Sequence, residues 1–168
     1  MPFDLHPEYP PEGISRAELD RRYGGDTRDR LHAMFEQAGL PYSNSIEIVP
    51  NSRGALALGE LARDRDVYDE LHPRLFDAYW VRGRNLGDRA VLHEEGAAVG
   101  LSAQEIDAAV ADPDYLDRIE HSTGAVTQLG GNGVPAWLID RRVLVPGAQP
   151  HDVFERVLAR LGHSPRET

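Results

Sequence analysis

The sequence contains no cysteine and no lysine, and each absence has a chemical consequence. Without cysteine, these 168 residues form no disulfide, no thiolate metal site and no thiol nucleophile. Without lysine, all 18 basic side chains are arginines, against 28 aspartates and glutamates, and the formal net charge is −10. This balance argues against a nucleic-acid partner, because phosphates require a basic surface.

Long hydrophobic runs are also missing. The most apolar stretch, GALALGELA at residues 54–62, is too short to span a bilayer and contains Glu60. The first residues, MPFDLHPEYPPEG, are acidic and proline-rich and lack the basic start and apolar centre of a secretion signal. We therefore expect no membrane partner and a cytoplasmic location.

Residues 15–129 carry helix signals and no convincing strand pattern. A serine followed three residues later by a glutamate, at 15–18 and again at 102–105, predicts a capping box at each helix start. Apolar residues at helical spacing predict helices that include residues 31–38 and about 67–82. Well over half of the chain is therefore expected to be helical.

The pattern changes after residue 130. The apolar runs AWLI (136–139) and VLV (143–145) are separated by three polar residues, which predicts a β-hairpin. An amphipathic helix is predicted from about Pro150 to Gly162. Both tryptophans stand on amphipathic elements and are expected to be buried (Trp80 and Trp137).

Between the helical block and the hairpin lies the glycine-rich stretch GGNGVP, residues 130–135. Phosphate-binding loops run from a strand to a helix, whereas this one runs from a helix to a strand, so we assign it no phosphate. Pro135 stands at the start of the predicted strand, where no ladder hydrogen bond is lost. Local sequence alone favours a trans Val134–Pro135 bond, since only about 5–6 % of X–Pro bonds in folded proteins are cis.

Five segments, in order along nearly the whole chain, resemble the DsbA-like thioredoxin-fold family, and within it the FrnE-like disulfide oxidoreductases. The segments are PFDLHPEYPPEG (2–13), NSRGALALGELA (51–62), LFDAYWVRGRNLGDRAVL (75–92), GNGVPAWLID (131–140) and VPGAQP (145–150). The resemblance implies an α/β, thioredoxin-like fold with a large inserted helical domain.

In these terms, the resemblance divides the chain into an inserted helical domain at 15–129, a thioredoxin-like remainder at 1–14 and 130–162, and a tail at 163–168. The family's active-site cysteines, Cys-x-x-Cys at the start of a helix, precede the PF-x-L segment with which this sequence opens. We therefore expect an N-terminally truncated form, mostly helical with a small residual β-sheet. Two explanations stay open: an incomplete reading frame, or a shortened relative without redox chemistry.

The resemblance also implies a site. In the family, the proline before the strand is cis and faces the cysteines, and by resemblance Pro135 is that proline. Val134 would then offer its backbone N–H and C=O to an extended peptide or protein thiol substrate. The implied activity is thiol–disulfide exchange through a mixed disulfide, for which this chain itself supplies no catalytic side chain.

Two alternatives remain at this point. One is an isomerase or transferase similar to the 2-hydroxychromene-2-carboxylate isomerases, with glutathione as its cofactor; the other is a non-catalytic peptide-binding module. Apart from glutathione under that alternative, no cofactor is expected. No metal site is expected either, since no two of the seven histidines stand three or four residues apart. The sequence does not fix the oligomeric state.

Overall fold

The computed structural model describes residues 1–25 and 27–164. The elements in this part of the chain are β1 Ile14–Ser15, α1 Arg16–Tyr23, α2 Thr27–Gln37, β2 Ile48–Val49, α3 Arg53–Asp64, α4 Tyr68–Phe76, a π-helical segment Asp77–Val81, α5 Arg89–Ala97, α6 Ala103–Ala111, α7 Pro113–Gln128, β3 Ala136–Ile139, β4 Val143–Pro146 and α8 His151–Arg160. The prediction of a mostly helical chain with a small sheet is confirmed. None of the helices described is long and apolar enough to cross a bilayer.

Helix α3 is the centre of the helical core. It contacts α4, α5, α6 and α7, and Ala57, Leu58 and Ala62 on it are fully buried. Small residues bring the neighbouring helices close: a Cβ added to Gly54 would lie 3.2 Å from Leu92 Cδ1. Each fully buried leucine contributes about 1.5–3 kcal/mol to folding, so this helix accounts for much of the core.

The two predicted capping boxes have different outcomes. At α6, Ser102 Oγ accepts from Glu105 N–H and the Glu105 carboxylate accepts from Ser102 N–H, which is the complete reciprocal pair. At α1, Ser15 Oγ accepts from Glu18 N–H, but the Glu18 carboxylate turns forward and pairs with Arg22 Nε at 2.9 Å. The ion pair one turn later competes for the carboxylate, so the box at α1 is only half formed.

The expectation of no strand within residues 15–129 is wrong at one place. Strand β2 pairs antiparallel with β1, with Ile14 opposite Val49. Both strands have two residues, which is too short for an alternating pattern to show in the sequence. Gly13 permits the pairing: it has φ +77°, and a Cβ at this position would overlap Val49 O.

The helix predicted over about 67–82 is interrupted. Helix α4 ends at Phe76, and in the π-helical segment that follows Arg82 N–H donates to Asp77 O, five residues earlier, at 2.9 Å. The wider turn leaves Tyr79 buried and Trp80 half-buried. Such segments are frequent at functional sites, and this one borders the cavity described below.

The predicted hairpin is present as β3 and β4, with Ile139 opposite Val143. Its turn places Asp140 and Arg141 in the left-handed region, at φ 51° and 56°, and Arg142 N–H donates to Ile139 O at 3.0 Å. Two consecutive left-handed residues match the right-handed twist of a tight hairpin. The predicted last helix is α8.

The expected burial of Trp137 is wrong: its side chain is 51 % exposed. Strands β3 and β4 pair only with each other in the part of the chain described. Helix α8 reaches one edge of the indole through Phe154, with ring centroids 5.4 Å apart, and the rest faces solvent. In the predicted tail, His163 bonds to Asp140 at 2.7 Å, and residues 165–168 lie outside the described residues.

Candidate functional site

The N-terminal segment is extended and held against α7. Ser122 Oγ donates to Pro2 O, and Asp4 N–H donates to Thr123 Oγ1 at 2.9 Å. These bonds satisfy main-chain groups that have no ladder partner. They also fix Phe3 between its two anchored neighbours, at the wall of a cavity.

A second tie joins this segment to the start of α3. Asn51 Nδ2 donates to Tyr9 O at 2.8 Å, and Asn51 Oδ1 accepts from Arg53 N–H at 3.0 Å. Arg53 in turn reaches the buried Asp4, with Nε 3.5 Å from Oδ2. Burial raises the pKa of Asp4, and the charge of Arg53 opposes that shift. Asn51 is therefore a structural cap rather than a substrate contact.

The cavity has a volume of about 340 Å³ and is largely apolar. Its walls come from segments far apart in sequence: the N-terminal residues, α3, α4, the π-helical segment and the loop before β3. The lining residues are Met1, Pro2, Phe3, Ser52, Ala55, Leu56, Gly59, Glu60, Arg63, Tyr68, His72, Leu75, Phe76, Tyr79, Trp80, Leu86 and Val134. The size is that of a small-ligand pocket, which typically measures about 300–1,000 Å³.

The charged groups in the lining are engaged with one another. Arg63 Nε donates to Glu60 Oε1 at 3.2 Å, and its guanidinium lies 3.4 Å from the centroid of the Tyr68 ring. His72 stacks between Tyr68 and Phe76, with centroids 5.1 and 4.7 Å away. Burial lowers the pKa of His72, and nearby Arg63 adds to the shift. The cavity therefore presents an aromatic, nearly neutral wall at neutral pH.

Val134 joins the cavity to the hairpin. Its side chain lines the cavity and is 57 % exposed. Within residues 1–25 and 27–164, neither its N–H nor its C=O has a hydrogen-bond partner. The Val134–Pro135 bond is cis, and Pro135 O accepts from Gly147 N–H at 2.8 Å, next to the first pair of the β3–β4 ladder. Val134 thus offers main-chain groups beside an apolar cavity.

Of the two residues predicted for the site, Val134 lines the cavity and Pro135 does not. The sequence interpretation missed the aromatic wall, which includes Phe3, Tyr68 and Phe76. One signal was available: the apolar stripe of α4 continues beyond what one buried face requires, and Phe76 is more than half exposed. An exposed aromatic beside a cavity is the informative deviation from burial.

Comparison with known proteins gives similarities over nearly the whole chain. The model of the DSBA-like thioredoxin domain family matches residues 1–159. The uncharacterized protein YwbO of Bacillus subtilis (strain 168) is 26 % identical over 165 residues, which are 95 % of this chain and 79 % of that protein. The crystal structure of the probable DsbA oxidoreductase SCO1869 from Streptomyces coelicolor has a TM-score of 0.81 at 28 % identity and covers 99 % of this chain and 76 % of that one.

Proposed function

Since the chain belongs to the DSBA-like thioredoxin domain family, we propose that it binds extended peptide segments through the main chain of Val134. The family and the thioredoxin-like fold that the sequence predicted are both confirmed by the comparisons. The peptide site itself is an inference from the geometry around Val134.

The observation that carries the proposal is the pair of unpartnered main-chain groups on Val134. An extended peptide supplies a C=O and an N–H at matching spacing, so it satisfies both groups without regard to its side chains. Each hydrogen bond of this kind contributes about 0.5–1.5 kcal/mol net. Main-chain pairing therefore gives modest, sequence-tolerant affinity.

The apolar cavity supplies selectivity. Successive side chains of an extended peptide point to opposite sides, so a residue beside the one paired with Val134 directs its side chain into the cavity. The lining is aromatic and aliphatic, with its one ion pair, Arg63 to Glu60, already formed. We therefore expect peptides with a large apolar side chain at this position to bind best.

We assign binding rather than catalysis to these 168 residues. Thiol–disulfide exchange begins with a thiolate, and the sequence contains no cysteine. The Streptomyces protein is described as a probable oxidoreductase, and that activity requires a redox group that residues 1–168 do not contain.

Trp80 allows a direct test because it lines the cavity. A Trp137→Phe variant removes the other tryptophan, which lies in the hairpin, so that peptide titrations report on Trp80 alone. The probe is a cysteine-free peptide with alternating large apolar and polar residues, compared with copies that are N-methylated at one position each. One N-methyl group should weaken binding by about two- to tenfold, because it blocks one main-chain hydrogen bond.

The remaining N-methylated peptides serve as the matched controls and should bind like the parent. Equal binding of every copy would contradict main-chain pairing. A glutathione titration separates the alternative: a Trp80 response to glutathione and none to the peptide would replace peptide binding with glutathione binding.

A further inference from the structure

Arg16, the first residue of α1, is buried without adequate partners. Only 4 % of its surface is exposed, and its Nε and Nη2 atoms have no hydrogen-bond partner in the part of the chain described. Buried guanidinium groups are costly unless their N–H groups are bonded and their charge is compensated. The structure therefore contains a cation whose hydrogen-bonding capacity is unused.

Two tyrosine hydroxyls near this position have the same property. Tyr9 OH and Tyr42 OH are buried and lack partners among the described residues. Tyr79 connects them, since its hydroxyl interacts electrostatically with Arg16, Tyr42 and Tyr9. Trp80 packs against two members of the group, 4.7 Å from the Tyr79 ring and 6.1 Å from the Tyr42 ring. The unpartnered groups thus belong to one cluster.

We propose that Arg16, Tyr9 and Tyr42 form a buried binding site for a small carboxylate. All three side chains have donors to offer, and a carboxylate accepts through two oxygens with about four lone pairs. A guanidinium fork matches this geometry with two parallel N–H···O bonds. Water accepts fewer bonds and leaves the charge of Arg16 uncompensated.

The surroundings limit the charge of the ligand. Arg16 also borders a surface depression that contains Asp20, Asp29 and Glu47, the last paired with Arg28 at 3.1 Å. These carboxylates repel an incoming anion, and the more strongly the higher its charge. One guanidinium compensates one negative charge, so the site suits a monoanion such as acetate better than a phosphate dianion.

This site is separate from the one proposed for peptides. Arg16, Tyr9 and Tyr42 do not line the apolar cavity, and only Tyr79 stands between the two. Occupancy of one site can therefore be measured while the other is free.

The test is the thermal unfolding midpoint of the whole chain in sodium acetate against sodium chloride, at neutral pH and equal ionic strength. A ligand bound only by the folded state raises the midpoint with concentration, and the dependence yields a dissociation constant. Arg16→Met replaces the cation with an apolar side chain of similar length and should weaken acetate binding by about tenfold or more. Tyr42→Phe should weaken it by about two- to tenfold.

Tyr23→Phe is the matched control, because Tyr23 is exposed and removes a hydroxyl elsewhere. It should leave the acetate response unchanged. If Arg16→Met does not fold, Tyr42→Phe alone decides. Equal midpoints in acetate and chloride, or an acetate response that Tyr42→Phe leaves intact, would mean that these donors are met by water only and would overturn the proposal.

Discussion

Glu95 on α5 is the most deeply buried carboxylate in the part of the chain described, with no exposed surface. Its Oε1 accepts from Arg82 Nη2 at 2.7 Å. Its Oε2 lies 3.2 Å from Arg74 Nε but off the N–H direction, which makes that contact an ion pair without a hydrogen bond. The bond to Glu95 is the main reason that the pKa of Arg82 is raised. The pair joins α5 to both ends of the α4–π-helical unit.

Glu95→Gln keeps the shape and removes the charge, so it isolates this electrostatic contribution. Losing one partner of a buried ion pair costs about 3–5 kcal/mol. Here the side chains of Arg74 and Arg82 are 43 % and 35 % exposed, so they rehydrate when the carboxylate is gone. We therefore expect a loss of about 2–3 kcal/mol, below or at the lower end of that range.

Urea denaturation measures the effect, and the adjacent Glu94→Gln is the matched control. Glu94 is 52 % exposed and pairs with Arg84 at 3.0 Å, so its replacement should cost less than about 1 kcal/mol. With a slope of about 1–3 kcal/mol per molar urea, Glu95→Gln should lower the midpoint by about 1 M or more. Equal losses for the two variants would refute the argument that burial sets the strength of this pair.

Two further predictions concern packing and pH. Gly96→Ala should lower the thermal midpoint, by about 1–3 kcal/mol in stability, because its Cβ would lie 2.5 Å from Cδ1 of the buried Ile106, whereas Gly124→Ala in α7, with nothing within 4 Å, should gain up to about 1 kcal/mol; shifts of the same sign would contradict the packing. Burial lowers the pKa of His72 below its usual 6.5, so the folded state binds fewer protons and stability is lost as the pH falls from 6.5 towards the folded pKa. Urea midpoints against pH should fall less steeply over this window in His72→Gln, and parallel curves would refute the shift.

Local signals predicted most of the secondary structure. The serine and glutamate that start α6, and the apolar runs of the hairpin, act within a few residues, so the sequence determines them directly. The same signal failed at α1, where Arg22 competes for Glu18. Competition between partners depends on positions that a local pattern does not weigh.

Features that depend on distant contacts were not predictable. The β1–β2 pairing brings Ile14 to Val49, and the cavity joins Phe3 to Val134. Trp137 was expected to be buried because its strand is amphipathic, but the covering layer on its side contributes only an edge contact. The division at residues 15 and 129 between a helical insertion and a thioredoxin-like remainder stays a prediction.

The most direct test of peptide binding at Val134 is the backbone amide of that residue, observed by ¹⁵N NMR. Addition of the alternating apolar peptide should shift the Val134 amide signal and slow its hydrogen exchange, because its N–H gains an acceptor. The N-methylated copy that binds weakly should leave the signal in place. A peptide that changes Trp80 fluorescence without moving the Val134 amide would place the ligand in the cavity alone and contradict main-chain pairing.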